Sequence, residues 1–282
     1  MKPLAKYYLM MALAAALTVT GCASGPTGEQ AQTAASNRVI EAYNVPDLLA
    51  QAAPAVVESL ENNVPDSVSQ AERQRLRDAV YDVYAPEKLQ AGVAERLRER
   101  AAEADRKPAL ASAADKLAAP LATRMIELES AAGSDDFAEG FRAFVDQPAT
   151  EARKQRLRII DGLADDMEVI SLQTEFNVTL LRGMINGRNA VVDPAQQASD
   201  SRVEQMVGNT REGIRDQLEQ RVPLMLLYVY RDVDDATLQQ YADLQAESDM
   251  TWTNQALRQA ITDTLAAAGE RIPDQMNAGT GA

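Results

Sequence analysis

The sequence predicts an all-α protein built as a multi-helix bundle, and three observations support this. Ala, Leu, Gln, Glu and Arg dominate the 282 residues, and all of them are good helix formers. Apolar residues recur at three- and four-residue intervals along most of the chain. Strand signals are scarce, because the chain has only four Phe and few alternating runs of Val, Ile and Thr.

The first segment, residues 1–21, has the layout of a secretory signal peptide. Lys2 and Lys6 precede a mostly apolar stretch, residues 7–19. This stretch is too short for a transmembrane helix, which needs about 20 apolar residues. We therefore expect the chain to be exported and this segment to be removed.

The signal peptide ends at the sole cysteine of the chain, within the sequence Val19-Thr20-Gly21-Cys22. This tetrapeptide resembles the bacterial lipobox. The resemblance implies cleavage before Cys22, a diacylglycerol on its sulfur and an acylated amino group. One acyl chain anchors a protein marginally, whereas two or more hold it firmly. The alternative is a plain signal peptide with a chance cysteine.

Ala23, rather than Asp, follows the cysteine. In lipoproteins of this kind, Asp at that position favours retention in the inner membrane. The resemblance therefore implies the outer membrane of a two-membrane bacterium, with the protein facing the periplasm. Residues 22–37 are small and polar, and they predict a lipidated flexible tether between the membrane and the folded body.

The chain is acidic, with 42 acidic and 28 basic residues and a net charge of −14. An acidic surface argues against a nucleic-acid partner and against electrostatic docking on anionic lipid. The partners that we expect are the membrane, through the lipid on Cys22, and another protein of the cell envelope. With Cys22 lipidated, no intramolecular disulfide can form, so the core must supply the stability.

Residues 38–133 are expected to form an N-terminal helical half. Ser69 and Glu72 predict a capping box at the start of one helix. Pro86 begins the next helix, and Pro120 restarts the chain after a break. The side chains expected to face inward share helical spacing; they are Leu76, Val80, Val83, Tyr84, Leu89, Val93 and Leu97.

Residues 134–272 are expected to form a C-terminal helical half. The apolar spacing over 151–186 is uninterrupted and predicts one long helix. The most apolar stretch, 222–230, is either a buried strand or a buried helix, and the helical patterns on both sides favour the helix. Asp232 is expected to cap the next helix, and the tail at 273–282 is expected to be disordered.

Both halves repeat one order of features, in which a Val-Tyr step at a helix end is followed by a helix, a break and a further helix. The steps are Val83-Tyr84 and Val229-Tyr230. Two similar helical halves in tandem would explain this order, and chance similarity would also explain it.

Two stretches resemble a bacterial family of small helical periplasmic proteins that is labelled as a domain of unknown function. They are "PLATRMIELE" at 120–129 and "YVYRDVDDATLQQYADLQAESDMTWTNQALRQAI" at 228–261. The chain lacks the Pro and Gly that family members carry at the break, which here is 245–249. Since the family has no established activity, the resemblance implies a helical fold and a periplasmic location but no reaction.

The chain has no histidine, which removes the commonest general base and the commonest metal ligand. Ser-His-Asp and Cys-His sites are therefore excluded. Neither GxxxxGK[ST] nor GxGxxG occurs. We expect no cofactor, no metal and no catalytic residue.

Clustered aspartates are the remaining chemical feature, at Asp135-Asp136, Asp165-Asp166 and Asp232-x-Asp234-Asp235. The third group fails the calcium-loop template, because Ala236 and Thr237 stand where a ligand and a glycine are needed. Helix capping explains this group better. Two carboxylates that are distant in sequence remain the only route to a hydrolase.

Four aromatic residues of the second half either line a binding cleft or fill the core: Tyr228, Tyr230, Tyr241 and Trp252. The function that we expect is a non-enzymatic interaction or scaffold lipoprotein of the envelope. The alternative is a carrier of a small apolar or lipid ligand in a cavity near 222–230 and 252–265. A hydrolase that uses carboxylates alone is the third candidate.

Overall fold

The computed structural model describes residues 28–133, 135–148 and 150–278. These ranges contain α-helices, two short 3₁₀ turns (Ala131–Gly133 and Pro194–Gln196) and no β-strand, which confirms the predicted all-α fold. The helices are α1 (Gly28–Ala42), α2 (Val45–Ala50), α3 (Ala52–Asn63), α4 (Gln70–Val83), α5 (Pro86–Glu103), α6 (Lys107–Leu117), α7 (Pro120–Ser130), α8 (Asp135–Val145), α9 (Glu151–Asp166), α10 (Val169–Asn189), α11 (Asp200–Val229), α12 (Asp235–Gln245), α13 (Ser248–Glu270) and α14 (Ile272–Ala278).

The predicted signal peptide and Cys22 lie outside the described residues. The tether was expected to reach residue 37, but α1 already begins at Gly28. This helix forms because Ala35 and Ser36 are buried on the same side as the apolar residues that follow them. Small residues of this kind look like a linker in the sequence, yet they also let a helix pack closely against α6.

The helix starts predicted for the first half are confirmed. Ser69 Oγ accepts a hydrogen bond from Glu72 N at 3.3 Å, and the Glu72 carboxylate accepts one from Ser69 N at 3.1 Å, which completes the capping box. Pro86 opens α5 and Pro120 opens α7. All of the side chains predicted to face inward are buried: Leu76, Val80, Val83, Tyr84, Leu89, Val93 and Leu97.

The prediction of one long helix over 151–186 is wrong, because the helix is interrupted between α9 and α10. Glu168 has a φ of 57°, in the left-handed region, which ends α9. Met167 N donates to Leu163 O and Glu168 N donates to Asp165 O, both at 3.0 Å, so that carbonyls at the helix end are paired. The apolar spacing continues across this break and therefore does not reveal it.

The stretch 222–230 is helical up to residue 229, as favoured, and forms the end of α11 with Pro223 inside the helix. The predicted cap of α12 is displaced by two residues. Asp234, rather than Asp232, is the cap, and its carboxylate accepts from Thr237 N at 2.9 Å. An aspartate two positions earlier is too far from the first turn to reach the same amide.

The tail predicted to be disordered from 273 onwards is helical as far as residue 278. Ile272 and Met276 of α14 are buried, with 0% and 9% of their surface exposed, and the helix packs against α4. This apolar pair explains why the segment folds. Residues 279–282 lie outside the described ranges.

The chain forms two compact units, each assembled from three separate stretches. Unit 1 comprises residues up to 48 together with 94–169 and 219–257, and unit 2 comprises 49–93, 170–218 and the residues from 258 onwards. The prediction of two consecutive halves, 38–133 and 134–272, does not describe this arrangement. The reason is that helices distant in sequence pack together within each unit, as α9 and α12 do in unit 1 and α4 and α14 do in unit 2.

Unit 1 contains the order of helix, break and helix twice. Helices α6 and α12 are each 11 residues long, and after each one a two-residue break leads into the next helix. Their buried positions correspond one to one along the helices: Leu110, Ala113, Ala114 and Leu117 in α6, and Leu238, Tyr241, Ala242 and Gln245 in α12. Helices α6 and α12 both lie in unit 1, although α6 belongs to the first half of the chain and α12 to the second.

Unit 2 contains a close approach of two helices at Gly183 of α10 and Gly269 of α13. A Cβ atom placed on Gly183 would lie 3.5 Å from the Cα of Gly269 and 2.2 Å from the hydroxyl of Tyr84. Tyr84 is fully buried there, and its hydroxyl has no hydrogen-bond partner among the described residues. The two glycines thus make room for the end of this ring.

Candidate functional site

A buried carboxyl group distinguishes unit 1. Glu129 lies at the end of α7 and is 6% exposed. It shares the buried side of the helix with Ala122 and Met125, at three- and four-residue spacing. Since a charged group in a protein interior needs partners, the neighbours of Glu129 decide its charge.

Two tyrosine hydroxyls donate to the same oxygen of Glu129. Tyr230, directly after α11, donates to Oε1 at 2.5 Å, and Tyr241 of α12 donates at 3.1 Å. Both tyrosines have 0% of their surface exposed. Arg156 of α9 fixes the backbone beneath them, because its Nη2 donates to Tyr230 O at 2.7 Å and to Val233 O at 2.6 Å.

The hydrogen bonds continue from Tyr241 through polar side chains that are distant in sequence. Gln245 Nε2 donates to Tyr241 Oη at 3.0 Å, and Asn254 Nδ2 donates to Gln245 Oε1 at 3.2 Å. Tyr43 Oη donates to Asn254 Oδ1 at 2.6 Å. We call these residues the Glu129 cluster: Tyr43, Glu129, Tyr230, Tyr241, Gln245 and Asn254.

The burial of the cluster changes its acidities. Burial raises the pKa of the Glu129 carboxyl from its ordinary value of 4.5 to about 7, and the two tyrosine hydrogen bonds oppose this rise only in part. Burial raises the pKa of Tyr230 and of Tyr241 as well, and the carboxylate beside them raises both further. Glu129 therefore exchanges its proton near neutral pH, whereas the tyrosines remain protonated.

This arrangement is suited to holding or releasing one proton. A general acid or base must come within hydrogen-bond reach of the reacting atom of a substrate. Glu129 is enclosed by side chains that are themselves buried, including Gln245 with 0% of its surface exposed. The cluster is therefore a polar part of the core, and its chemistry is proton binding.

The structure separates the four aromatic residues of the predicted cleft. Tyr230 and Tyr241 lie together, with ring centroids 6.3 Å apart, and fill the core beside Glu129. Tyr228 belongs to a different set of aromatic rings, and Trp252 is half-buried on α13. For Tyr230 and Tyr241 the core alternative is the one that the structure supports, because neither ring has a surface open to a ligand.

A second group of aromatic residues surrounds Tyr228. Its ring centroid lies 4.9 Å from that of Phe137, 5.9 Å from Phe141 and 5.2 Å from Phe144, which are half-buried residues of α8. Two guanidinium groups cover rings of this group at 4.3 and 4.2 Å from the centroids, those of Arg153 over Phe144 and Arg231 over Tyr228. We call these residues the aromatic–arginine patch: Phe137, Phe141, Phe144, Tyr228, Arg153 and Arg231.

The aspartate clusters take ordinary surface and capping positions. Asp234 caps α12, Asp165 is exposed and Asp166 is half-buried. Burial, followed by the charge of Asp165, raises the pKa of Asp166. Within the described ranges, no three Asp, Glu or Cys side chains form a group that could hold a metal ion. Cys22 and the side chains of Asp135 and Asp136 lie outside what the structure describes.

The residues of the cluster that sequence reasoning missed are Tyr43, Glu129, Gln245 and Asn254. The last three are polar residues at positions of the apolar spacing, where they interrupt the pattern. Glu129 follows the buried Met125 by four residues, and Gln245 follows the buried Tyr241 by four residues. A polar residue in register with a buried stripe is the signal that could have identified them.

No helix within the described ranges combines the length and the apolar character needed to span a bilayer.

No family model, curated protein or solved structure matches this chain. The likeness of 120–129 and 228–261 to the uncharacterised helical family therefore rests on those stretches alone.

Proposed function

We propose that the protein is a lipid-anchored, non-enzymatic protein of the bacterial cell envelope that works by binding another envelope protein. The anchor is proposed at Cys22, on the strength of its lipobox-like sequence after an apolar stretch. The observation that carries the binding role is the aromatic–arginine patch of unit 1. The residues of this patch are the types that dominate the binding energy of protein interfaces.

The patch is suited to a protein segment that offers apolar and acidic side chains. Its three phenylalanines recur on one face of α8, at spacings of four and three residues, and each retains some exposed surface. Arg231 is exposed beside them and carries positive charge on a chain whose net charge is −14. A partner with carboxylates near an apolar side chain would match both features.

The non-enzymatic part of the proposal is supported by residue types and by burial. The chain has no histidine, and its only cysteine is the proposed lipid acceptor. The carboxyl group with the most strongly raised pKa, that of Glu129, is enclosed in the core. We do not extend the proposal to a ligand carrier, because the apolar stretch 222–230 supplies core residues such as Leu227, which is 2% exposed.

The binding role is tested by crosslinking the full-length protein in intact cells. We expect the unchanged protein to give a crosslinked product of constant mass, and Arg231→Glu to lose it. Arg124→Glu is the matched control, because Arg124 is an exposed arginine of the same unit that lies outside the patch. A product that Arg231→Glu leaves intact, or the failure to obtain any repeatable product, would contradict the role assigned to the patch.

The anchor is tested independently by metabolic labelling with palmitate. We expect the unchanged protein to take up the label and to fractionate with the outer membrane, and Cys22→Ser to lose both properties. Ala23→Asp should keep the label but move to the inner membrane. Labelling that persists in Cys22→Ser would remove the proposed anchor without bearing on the patch.

A further inference from the structure

The Glu129 cluster joins three parts of unit 1 that are distant in the chain. Glu129 is on α7, Tyr230 follows α11, and Tyr241 is on α12. One carboxyl oxygen accepts both hydroxyls, at 2.5 and 3.1 Å. The contacts of this single side chain thus hold α7 to both of the other elements.

The groups that face Glu129 cannot neutralise a negative charge. The titratable groups around it are the hydroxyls of Tyr230 and Tyr241, with that of Tyr43 farther along the cluster. Two cations of the neighbouring helices, Arg156 and Lys116, have other acceptors. Arg156 of α9 pairs with Asp235 of α12 and with two backbone carbonyls, while Lys116 of α6 pairs with Glu247 and Asp249.

Two further charged groups of these helices are engaged away from Glu129. Arg38 of α1 pairs with Asp115 of α6 at 2.8 Å. Asp243 of α12 accepts a hydrogen bond from Gln239 at 2.8 Å, on the exposed side of that helix. Among the described residues, no lysine or arginine forms an ion pair with the Glu129 carboxylate.

We propose that the proton on Glu129 controls whether unit 1 is closed at the cluster: the neutral acid keeps α12 and Tyr230 packed on α7, and the carboxylate releases them. The neutral acid keeps both tyrosine hydrogen bonds, because its carbonyl oxygen still accepts the hydroxyls, and it places no charge in the core. The carboxylate carries a charge that only neutral donors face, and an interior charge without a cation is costly. Opening the cluster to water removes this cost.

This control goes beyond the proposed function, because it depends only on the Glu129 cluster, none of whose residues belongs to the aromatic–arginine patch. It holds whether or not Cys22 is lipidated and whatever protein meets the aromatic–arginine patch. The protein would then respond to the pH of its compartment, closing unit 1 in acid and loosening it in mild alkali.

Amide hydrogen exchange of the full-length protein tests the proposal. The quantity compared is the protection of the α12 amides in the unchanged protein divided by their protection in Glu129→Gln at the same pH. We expect this ratio to fall by about tenfold or more between about pH 5.5 and about pH 8.5. Glu127→Gln is the matched control, because Glu127 is an exposed glutamate of the same helix. It should behave like the unchanged protein.

A second variant keeps the test decisive if Glu129→Gln does not fold. Tyr241→Phe removes one hydrogen bond that lowers the pKa of the carboxyl, so the pH at which α12 opens should move upward. Protection of α12 that stays constant over this pH range in the unchanged protein would overturn the proposal. So would a midpoint that Tyr241→Phe moves downward.

Discussion

The hydroxyl of Tyr230 donates a hydrogen bond to the carboxyl group of Glu129, and these two residues are 101 positions apart in the chain. Tyr241, 112 positions from Glu129, donates to the same oxygen. The pairing exists only once α7, the end of α11 and α12 have come together. The presence of these hydrogen bonds therefore shows that these parts of unit 1 are assembled.

The first prediction concerns stability against pH. The pKa of Glu129 is raised to about 7 in the folded state, against an ordinary value of 4.5 that we assign to the unfolded chain. Between these values the unfolded chain releases its proton while the folded protein keeps it. Below about pH 4.5 Glu129 therefore does not lower the unfolding free energy. As the pH rises to about 7 the unfolding free energy falls by about 3 kcal/mol, and above that pH this loss stays constant.

This dependence is measured by urea unfolding of the unchanged protein and of Glu129→Gln at a series of pH values. The difference between the two unfolding free energies should shift against the unchanged protein as the pH rises, because glutamine does not titrate. Glu127→Gln should leave the pH dependence as it is. A Glu129→Gln profile parallel to that of the unchanged protein would contradict the prediction.

The second prediction concerns the contact between Gly183 and Tyr84 in unit 2. Gly183→Ala should lower the unfolding free energy by about 1–3 kcal/mol, because its Cβ would lie 2.2 Å from the Tyr84 hydroxyl. Adding Tyr84→Phe should restore most of this loss, since it removes the atom in collision. Thermal unfolding of the two single variants and the double variant measures the coupling.

Gly162→Ala is the control for this series. Gly162 lies inside α9 with no atom within 4 Å of an added Cβ, so alanine there should raise the stability by about 0.5–1 kcal/mol. A Gly183→Ala variant as stable as Gly162→Ala would show that the two helices do not approach as described.

The third prediction is that Tyr84→Phe alone stabilises the protein. The hydroxyl of Tyr84 is buried without a partner among the described residues. Its desolvation lowers the stability of the folded state, because no hydrogen bond compensates for the lost contact with water. Its removal should raise the unfolding free energy by about 1 kcal/mol. Tyr230→Phe, which removes a paired hydroxyl, should lower it, and the opposite order in chemical denaturation would refute the assignment.

The fourth prediction concerns Arg156, whose side chain is 14% exposed. It donates to Tyr230 O at 2.7 Å and Val233 O at 2.6 Å, and it pairs with Asp235. Arg156→Gln should cost about 2 kcal/mol, because two carbonyls beyond the end of α11 lose a charged donor. Arg158→Gln, at an exposed position of the same helix, should change little. Equal unfolding free energies for the two variants would refute this role.

The sequence predicted the helical features that depend on local chemistry. The capping box at Ser69 and the helix starts at Pro86 and Pro120 follow from interactions within a few residues, and the structure contains each of them. The break at Glu168 was missed, because a single left-handed residue leaves the apolar spacing unchanged. Periodicity indicates which side of a helix is buried but not where the backbone turns.

The division into units and the pairing of residues within the Glu129 cluster depend on contacts between distant residues, and no local pattern contains those contacts. Tyr43 and Asn254 are 211 positions apart and hydrogen-bonded at 2.6 Å. The four candidate cleft aromatics were grouped by nearness in sequence, whereas the fold pairs Tyr230 with Tyr241 and sends Tyr228 to the aromatic–arginine patch. The lipid anchor at Cys22 stays a prediction from sequence.

The protonation of Glu129 can be followed directly by a carbon-13 NMR titration of the glutamate side-chain carboxyls, with the signal of Glu129 assigned by its absence in Glu129→Gln. We predict that this carboxyl titrates near pH 7, well above its ordinary value of 4.5. A Glu129 signal that titrates near pH 4.5 while the protein is folded would contradict this prediction. Such a value is typical of a carboxyl in contact with water, whereas Glu129 is enclosed by Tyr230 and Tyr241.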